Sequence, residues 1–227
     1  MTKPPLPPAR ATTRRRPLSR DRVLEAAVRL ADQGGLDSVS MRKLGQVLRV
    51  DAMALYRHVA SKDDVLDGIA DLIMGDFEVP VADADWKLAI RRSAVSAHEV
   101  LLRHPWAGAL IESRREAGPA RLRYLDGVLG TLAAAGFTVP GALRAIMILD
   151  SYTYGFVLQE LAWPFETDNA GEVAASFASH LPPGEYPNLH AVAAMVAAEP
   201  ANAKVDFAIG LDLVLDGVER LPDTARH

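Results

Sequence analysis

Residues 40–62 gather the side chains best suited to reading a polyanion. Arg42, Lys43, Arg57 and Lys62 supply cations, Tyr56 and His58 supply polar rings, and Ala52 and Met53 supply small, apolar surface. A guanidinium matches the O6 and N7 acceptors of guanine in a DNA major groove, an apolar side chain packs on a thymine methyl, and hydroxyl, imidazole and ammonium groups hold phosphates. We therefore expect direct base readout at Arg42, apolar base contact at Ala52 and Met53, and phosphate contacts at Tyr56, His58 and Lys62.

Two short helices joined by a tight turn must position these groups. Ser40 is a good N-cap, and Leu44, Val47 and Leu48 recur behind it at helical spacing, so the first helix should end near Leu48. After Arg49, Val50 and Asp51, a second run sets Leu55 and Val59 on one face and leaves Met53, Tyr56, Arg57 and His58 on the rest. A preceding helix runs from a Ser19 cap to about Gln33 and ends at Gly34-Gly35; its stripe of Val23, Ala26, Ala27 and Leu30 supports the pair from behind, and Arg20 offers a further phosphate contact. A following helix opens at Ser61, with Asp64 placed as in a capping box, and continues through Val65, Ile69, Leu72 and Ile73 to about Phe77.

The Ser-x-Arg-x-Leu start at Ser40, Arg42 and Leu44, the Leu-Tyr-x-His-Val run from Leu55 to Val59, and Lys62 shortly after resemble the tetracycline-repressor (TetR) family of bacterial transcriptional regulators. The resemblance covers about residues 19–77. It implies a helix-turn-helix head, a linking helix whose tilt sets the distance between the two heads of a dimer, and a body holding a ligand cavity. Family members often carry glycine where this chain has Arg49, a position that asks for positive φ. Either the turn tightens differently here or Arg49 is kept for a phosphate.

Charge is distributed unevenly. Residues 1–62 hold 13 Lys and Arg against 5 Asp and Glu, whereas the remaining 165 residues hold 12 against 24, so nucleic-acid contact is confined to the N-terminal quarter. Residues 1–18, with their prolines and the Arg14-Arg15-Arg16 run, read as a disordered basic arm that either follows DNA or acts as a solubilising tail. There is no cysteine, no HExxH pattern and no ligand spacing among His98, His104, His180 and His190, so neither a metal site nor a cofactor is expected. Charges interrupt every apolar run short of a membrane span, and the N-terminus lacks the apolar core of a signal peptide; a soluble cytoplasmic protein is expected.

Residues 78–85 read as a boundary, and 86–227 as a helical domain for ligand binding and dimerisation. Trp86, Ile90, Ala94, Ala97 and Leu101 form a buried stripe; further helices are expected at about 106–115, 119–135, 142–163 and 203–221, with a mobile loop over 165–187 that gates the cavity. No strand pattern occurs, so the fold class is all-α. The helices at 142–163 and 203–221 are apolar around most of their circumference, so one face should meet a second copy in a homodimer, through Leu149, Phe156, Leu211, Leu215 and Val218. Gly210 and Gly217 would allow a neighbouring helix close to the latter, whose acids Asp212, Asp216 and Glu219 form one stripe.

The body also resembles the tetracycline repressor's C-terminal domain, most clearly over Phe207 to Leu213 and at the junction from Ala135-Gly136-Phe137 to Leu143. The tetracycline-binding residues do not carry over: the ligand asparagine falls at Ser93, a pocket phenylalanine at Ala97, and the Thr-Arg-Pro loop at about Arg114 to Glu116, so tetracycline is not the expected inducer. Candidate cavity residues are Phe77, Trp106, Leu110, Met147, Asp150, Tyr154 and Trp163, each of which also suits plain core packing. Asp150 stands out, since a carboxylate in an apolar run needs a donor or a ligand. The expected function is a dimeric repressor that leaves a palindromic operator when a small molecule binds. The sequence also admits a regulator without ligand control, or an activator; an enzyme has no Ser/His/Asp, Cys/His or phosphate-loop arrangement to support it.

Overall fold

The computed structural model describes residues 17–82, 85–162, 170–182, 184–198 and 203–221, and every regular element among them is helical. Residues 1–16 of the expected basic arm and the candidate Trp163 lie outside the described residues. Three helices make the head: α1 (Arg20–Gly34), α2 (Met41–Leu48) and α3 (Ala52–Leu55). The linking helix α4 (Lys62–Met74) leads to α5 (Trp86–Arg103), α6 (Ala107–Ser113), α7 (Pro119–Ala134) and α8 (Val139–Ala162). Then come α9 (Ala170–His180), α10 (Pro187–Ala198) and α11 (Ala203–Glu219).

Serine caps set the starts of the head helices. The hydroxyls of Ser19, Ser40 and Ser61 accept from the backbone N–H groups of Arg22, Lys43 and Asp64, at 3.3, 3.3 and 3.0 Å. Val23, Ala26 and Ala27 are fully buried as expected, together with Leu44, Leu55 and Val65. Burying each of the two leucines is worth about 1.5–3 kcal/mol. Asp64 does more than complete a capping box. Its carboxylate accepts from the Ala60 N–H at 2.7 Å and makes a bidentate pair with Arg20 at 2.6 and 2.9 Å. Arg20 is thus committed to α4 instead of being held out for a phosphate. The hydrogen bond from Arg20 holds the Asp64 carboxyl below its ordinary range. Its contribution to stability is present above the unfolded carboxyl's pKa and is lost as pH falls through the folded value.

The other side of α4 holds the body. Gly118 precedes α7 and has no side chain to cap it, and the Asp71 carboxylate of α4 takes that place, accepting from the N–H groups of Ala120 and Arg121 at 2.9 and 3.0 Å. A Cβ at Gly118 would collide with the Asp71 side chain. One turn earlier on α4, Asp67 pairs with Arg114 at 3.3 Å. Head and body meet a second time at Asp32 of α1, whose Oδ1 lies 2.7 Å from both His104 Nδ1 and Trp106 Nε1.

In the body, α5, α7, α8 and α11 enclose a core of Ile90, Ala94, Val128, Leu132, Leu149, Phe207, Leu211, Leu215 and Val218. Tyr152 of α8 donates to the Phe207 carbonyl at 2.8 Å, and His98 of α5 stacks on the Phe207 ring at 3.9 Å while its Nε2 meets Glu160 at 2.8 Å. Gly210 does admit a close neighbour, the Tyr152 ring of the same chain, whereas Gly217 faces open space.

Two expectations change, and one gains a partner. Leu149, Leu211, Leu215 and Val218 are buried in their own chain's core and Phe156 packs against it, so they do not present the free face. That face consists of Leu143, Met147, Leu158, Leu161, Ile209 and Leu213, all exposed. Periodicity revealed two apolar sides; the Tyr152 hydrogen bond and the Phe207 stack decide which one turns inward. The acidic stripe of α11 is occupied by α5, with Lys87 bridging Asp216 and Glu219 and Arg91 binding Asp212. The segment expected as a loop over 165–187 contains α9, which pairs with α10 through Ala170, Ala174, Ala193 and Val196. Small alanine faces allow these helices to approach closely, which the Asp, Gly and Pro content had obscured.

Replacing Asp71 with Ala should lower the stability of the full chain by about 1–2 kcal/mol, because two helix-start N–H groups lose their acceptor. Urea unfolding reads this as a lower midpoint with an unchanged slope; an unchanged midpoint would mean that the cap contributes nothing.

Candidate nucleic-acid interface and ligand cavity

The turn between α2 and α3 brings the predicted DNA-contact residues to one exposed surface. Arg49 adopts φ 55° and ψ 48°, so the helix does end on a left-handed residue and the turn is not tightened another way. For a residue with a Cβ this costs roughly 1–2 kcal/mol. Gly45 lies where a Cβ would stand 2.9 Å from the Val50 carbonyl oxygen, so the chain after the turn packs directly on the α2 backbone. Asp51 caps α3, accepting from the Met53 N–H at 2.7 Å.

The second helix is shorter than the expected run to Val59. After Leu55 the backbone tightens, with His58 N–H bonding to the Leu55 carbonyl at 2.8 Å and Arg57 N–H to that of Ala54 at 3.4 Å. Tyr56, Arg57 and His58 therefore lie in the turn that closes α3, and Val59 returns to the core. Arg42, Lys43, Met53, Tyr56, Arg57 and Lys62 are exposed, while Ala52, His58 and Ser40 are half-buried. Met53, an apolar side chain, is 72% exposed and so is available for contact with a partner. Among the described residues no ion pair engages Arg42, Lys43, Arg49, Arg57 or Lys62. The body's Lys87, Arg91, Arg92 and Arg114 are all paired with acids.

A cavity lies inside the body, between α5, α7 and α8. Phe77, Ser93, Ala97, Tyr124, Leu149, Asp150, Thr153 and Tyr154 are among its lining residues. Its volume is about 30 Å³, within a wider recess that opens to solvent. That holds a few waters, and a larger guest must part the walls. Phe77, just beyond α4, meets the Tyr124 ring edge-on at 5.5 Å, so the cavity wall continues into the linking segment.

Of the expected cavity residues, Phe77, Asp150 and Tyr154 line it. Met147 does not: it is 70% exposed. Trp106 and Leu110 are buried in the core shared by head and body, and the Trp106 N–H is taken by Asp32. Tyr124, Thr153, Ser93 and Ala97 were missed as lining residues. The last two are the positions at which the tetracycline-binding asparagine and phenylalanine fall, so the resemblance identified the wall while the residue types changed. The Ser93 hydroxyl bonds that of Tyr124 at 3.3 Å.

Burial pushes the Asp150 carboxyl up to about 6, with Glu112 adding to the shift and Arg121 opposing it. Burial also raises Tyr124, to about 12, and raises Tyr154 further.

Residues 23–69 match the family described as bacterial regulatory proteins, tetR family, and residues 79–221 match the tetracyclin repressor-like C-terminal domain. The chain belongs to the TetR family. An HTH-type transcriptional regulator of Saccharopolyspora erythraea is 40% identical over 175 residues, 76% of this chain and 73% of that protein. The HTH-type transcriptional repressor DrrR1 of Streptomyces coeruleorubidus is 32% identical over 215 residues, 90% of this chain and 78% of that one. Among solved structures, a variant of TetR from Acinetobacter baumannii AYE in complex with minocycline superposes with a TM-score of 0.69 at 26% identity, covering 90% of this chain and 95% of that one. This TetR-family member is thus a transcriptional regulator with a helix-turn-helix head and an all-helical body. No helix among the described residues is long and apolar enough to cross a membrane.

Two variants separate readout from electrostatics in the head. Arg42→Ala should relax preference at one base pair per half-site, at a cost of about 1–3 kcal/mol, whereas Lys62→Ala should weaken binding on all sequences and reduce the salt slope by about one. Competition binding on single-base operator variants, repeated over a salt series, distinguishes them. A third variant tests the half-buried Asp150 carboxylate. Because the folded Asp150 pKa is raised, its favourable contribution is present below the unfolded value and lost as pH rises past about 6. Asp150→Asn should therefore be more stable than the parent by about 1–3 kcal/mol at pH 8 and no more stable at pH 4; equal stability at pH 8 would contradict the shift.

Proposed function

We propose that the protein is a homodimeric repressor that holds a palindromic operator through its two heads and leaves it when a small molecule occupies the body cavity. The observation that carries this reading is the cluster of cations on the helix-turn-helix surface: Arg42, Lys43, Arg57 and Lys62 are all exposed there, and among the described residues none of them is in an ion pair. Arg42 reads a base, Ala52 and Met53 make apolar base contact, and Lys43, Tyr56, Arg57, His58 and Lys62 hold phosphates, with Ser40 fixing the start of α2. The domain division is a head over 19–77 and a ligand-binding and dimerisation body over 86–227. The relatives are named regulators and repressors, so the cavity is read as a sensor and not as a catalytic site.

Dimerisation uses the exposed faces of α8 and α11. Leu143, Met147, Leu158, Ile209 and Leu213 form an apolar surface that a lone chain leaves in water. Two-fold symmetry then sets the recognition surfaces about one helical turn of DNA apart, roughly 34–36 Å. A ligand between α5, α7 and α8 acts by favouring one tilt of α4, since Phe77 belongs to both the cavity wall and the linking segment. The minocycline complex of the Acinetobacter TetR supports a ligand in this body. A regulator without ligand control is the second reading, favoured by the narrowness of the cavity as it stands.

Selection of bound duplexes from a random pool at near-physiological salt should enrich an inverted repeat; binding only at low salt, with no enrichment, would refute the specific repressor. Leu213→Glu should yield a folded monomer by sedimentation with weakened operator binding, whereas Leu215→Glu should unfold the chain, since Leu215 is a core residue. A Leu213→Glu chain that remains dimeric would reject this interface.

A further inference from the structure

We infer that the cavity takes a cationic amphipathic ligand, an amine carried on an apolar ring system, with the Asp150 carboxylate as its counter-charge. The inference rests on the reading of the cavity as the effector site and adds the class of the effector. Asp150 is the one charged residue in the lining, and no hydrogen bond reaches its carboxylate among the described residues. The nearby cation is directed elsewhere, as Arg121 Nη1 donates to the carbonyls of Ile111 at 3.0 Å and Arg114 at 3.2 Å.

The groups that act on Asp150 are Glu112 of α6, Arg121 and Tyr124 of α7, and Tyr154 of α8, so one acid opposes its charge and one cation partly offsets it. A half-buried carboxylate in a largely apolar wall, with no hydrogen bond from the protein among the described residues, carries an electrostatic cost. A neutral ring leaves that cost in place and an anion increases it. A bound cation removes it and gains the faces of Tyr124 and Tyr154 as further partners. The rest of the lining, including Phe77, Ile90, Val128 and Ile146, suits the apolar body of such a molecule. The rise of the Asp150 carboxyl to about 6 agrees with an unpaired acid that is ionised at neutral pH.

Two fluorescent three-ring probes of similar shape test the inference on the full chain, first without DNA and then on its operator complex: proflavine, a planar cation, and acridone, its neutral counterpart. At pH 7.5 proflavine should bind at least tenfold more tightly than acridone. Asp150→Asn should remove that difference, with the loss falling on proflavine. On lowering the pH from 7.5 to 5, proflavine affinity should fall as Asp150 takes up a proton. Equal affinity of the parent protein for both probes, or a preference that survives in Asp150→Asn, overturns the inference. Acridone that binds equally well and releases the operator would leave the effector-site reading standing while removing the ligand class. Binding of neither probe would defeat both.

Discussion

The fold depends on α4 being held at both ends by carboxylates that belong to neither the DNA surface nor the cavity. Near its start, Asp64 is paired with Arg20 of α1; near its end, Asp71 caps α7. Charge-assisted hydrogen bonds of this kind are directional, so they fix angle as well as distance. The apolar face of α4, with Val65, Ile69 and Ile73 fully buried, belongs to one core that the head shares with the near part of the body. A helix gripped in this way transmits a change of tilt instead of absorbing it.

Much of this was legible in the sequence, and what was not follows a physical pattern. The serine caps, the support stripe of α1 and the ends of α2 and α7 all came through because their causes lie within four residues. Long-range partners did not. Nothing near Asp71 announces that it will serve the start of α7, and nothing near Asp32 indicates that it will take hydrogen bonds from His104 and Trp106. The side of α8 and α11 expected to be free proved to be the one that packs into the chain's own core, for a related reason. Apolar periodicity identifies two faces, but the direction in which a helix turns is set by partners such as the Phe207 carbonyl, 55 residues from Tyr152.

The site shows the same division. The exposed cations of the head were readable one by one, since exposure on a short amphipathic helix follows from spacing. The cavity was only partly readable. Asp150 drew attention as a carboxylate in an apolar run, and it lines the cavity; Met147, three residues earlier, points to the outside. Ser93 and Ala97 are too small to stand out in a sequence, and small side chains are what leave room in a packed interior.

The contact beneath Gly45 has a consequence for how binding can be controlled. Since α2 bears on the backbone of the following turn with no side chain between them, the two helices cannot slide or hinge past one another without a collision of main-chain atoms. The reading surface behaves as a single casting. In the proposed dimer, control of binding then falls to the geometry of the pair: how far apart the two heads are held, and at what angle they meet the duplex.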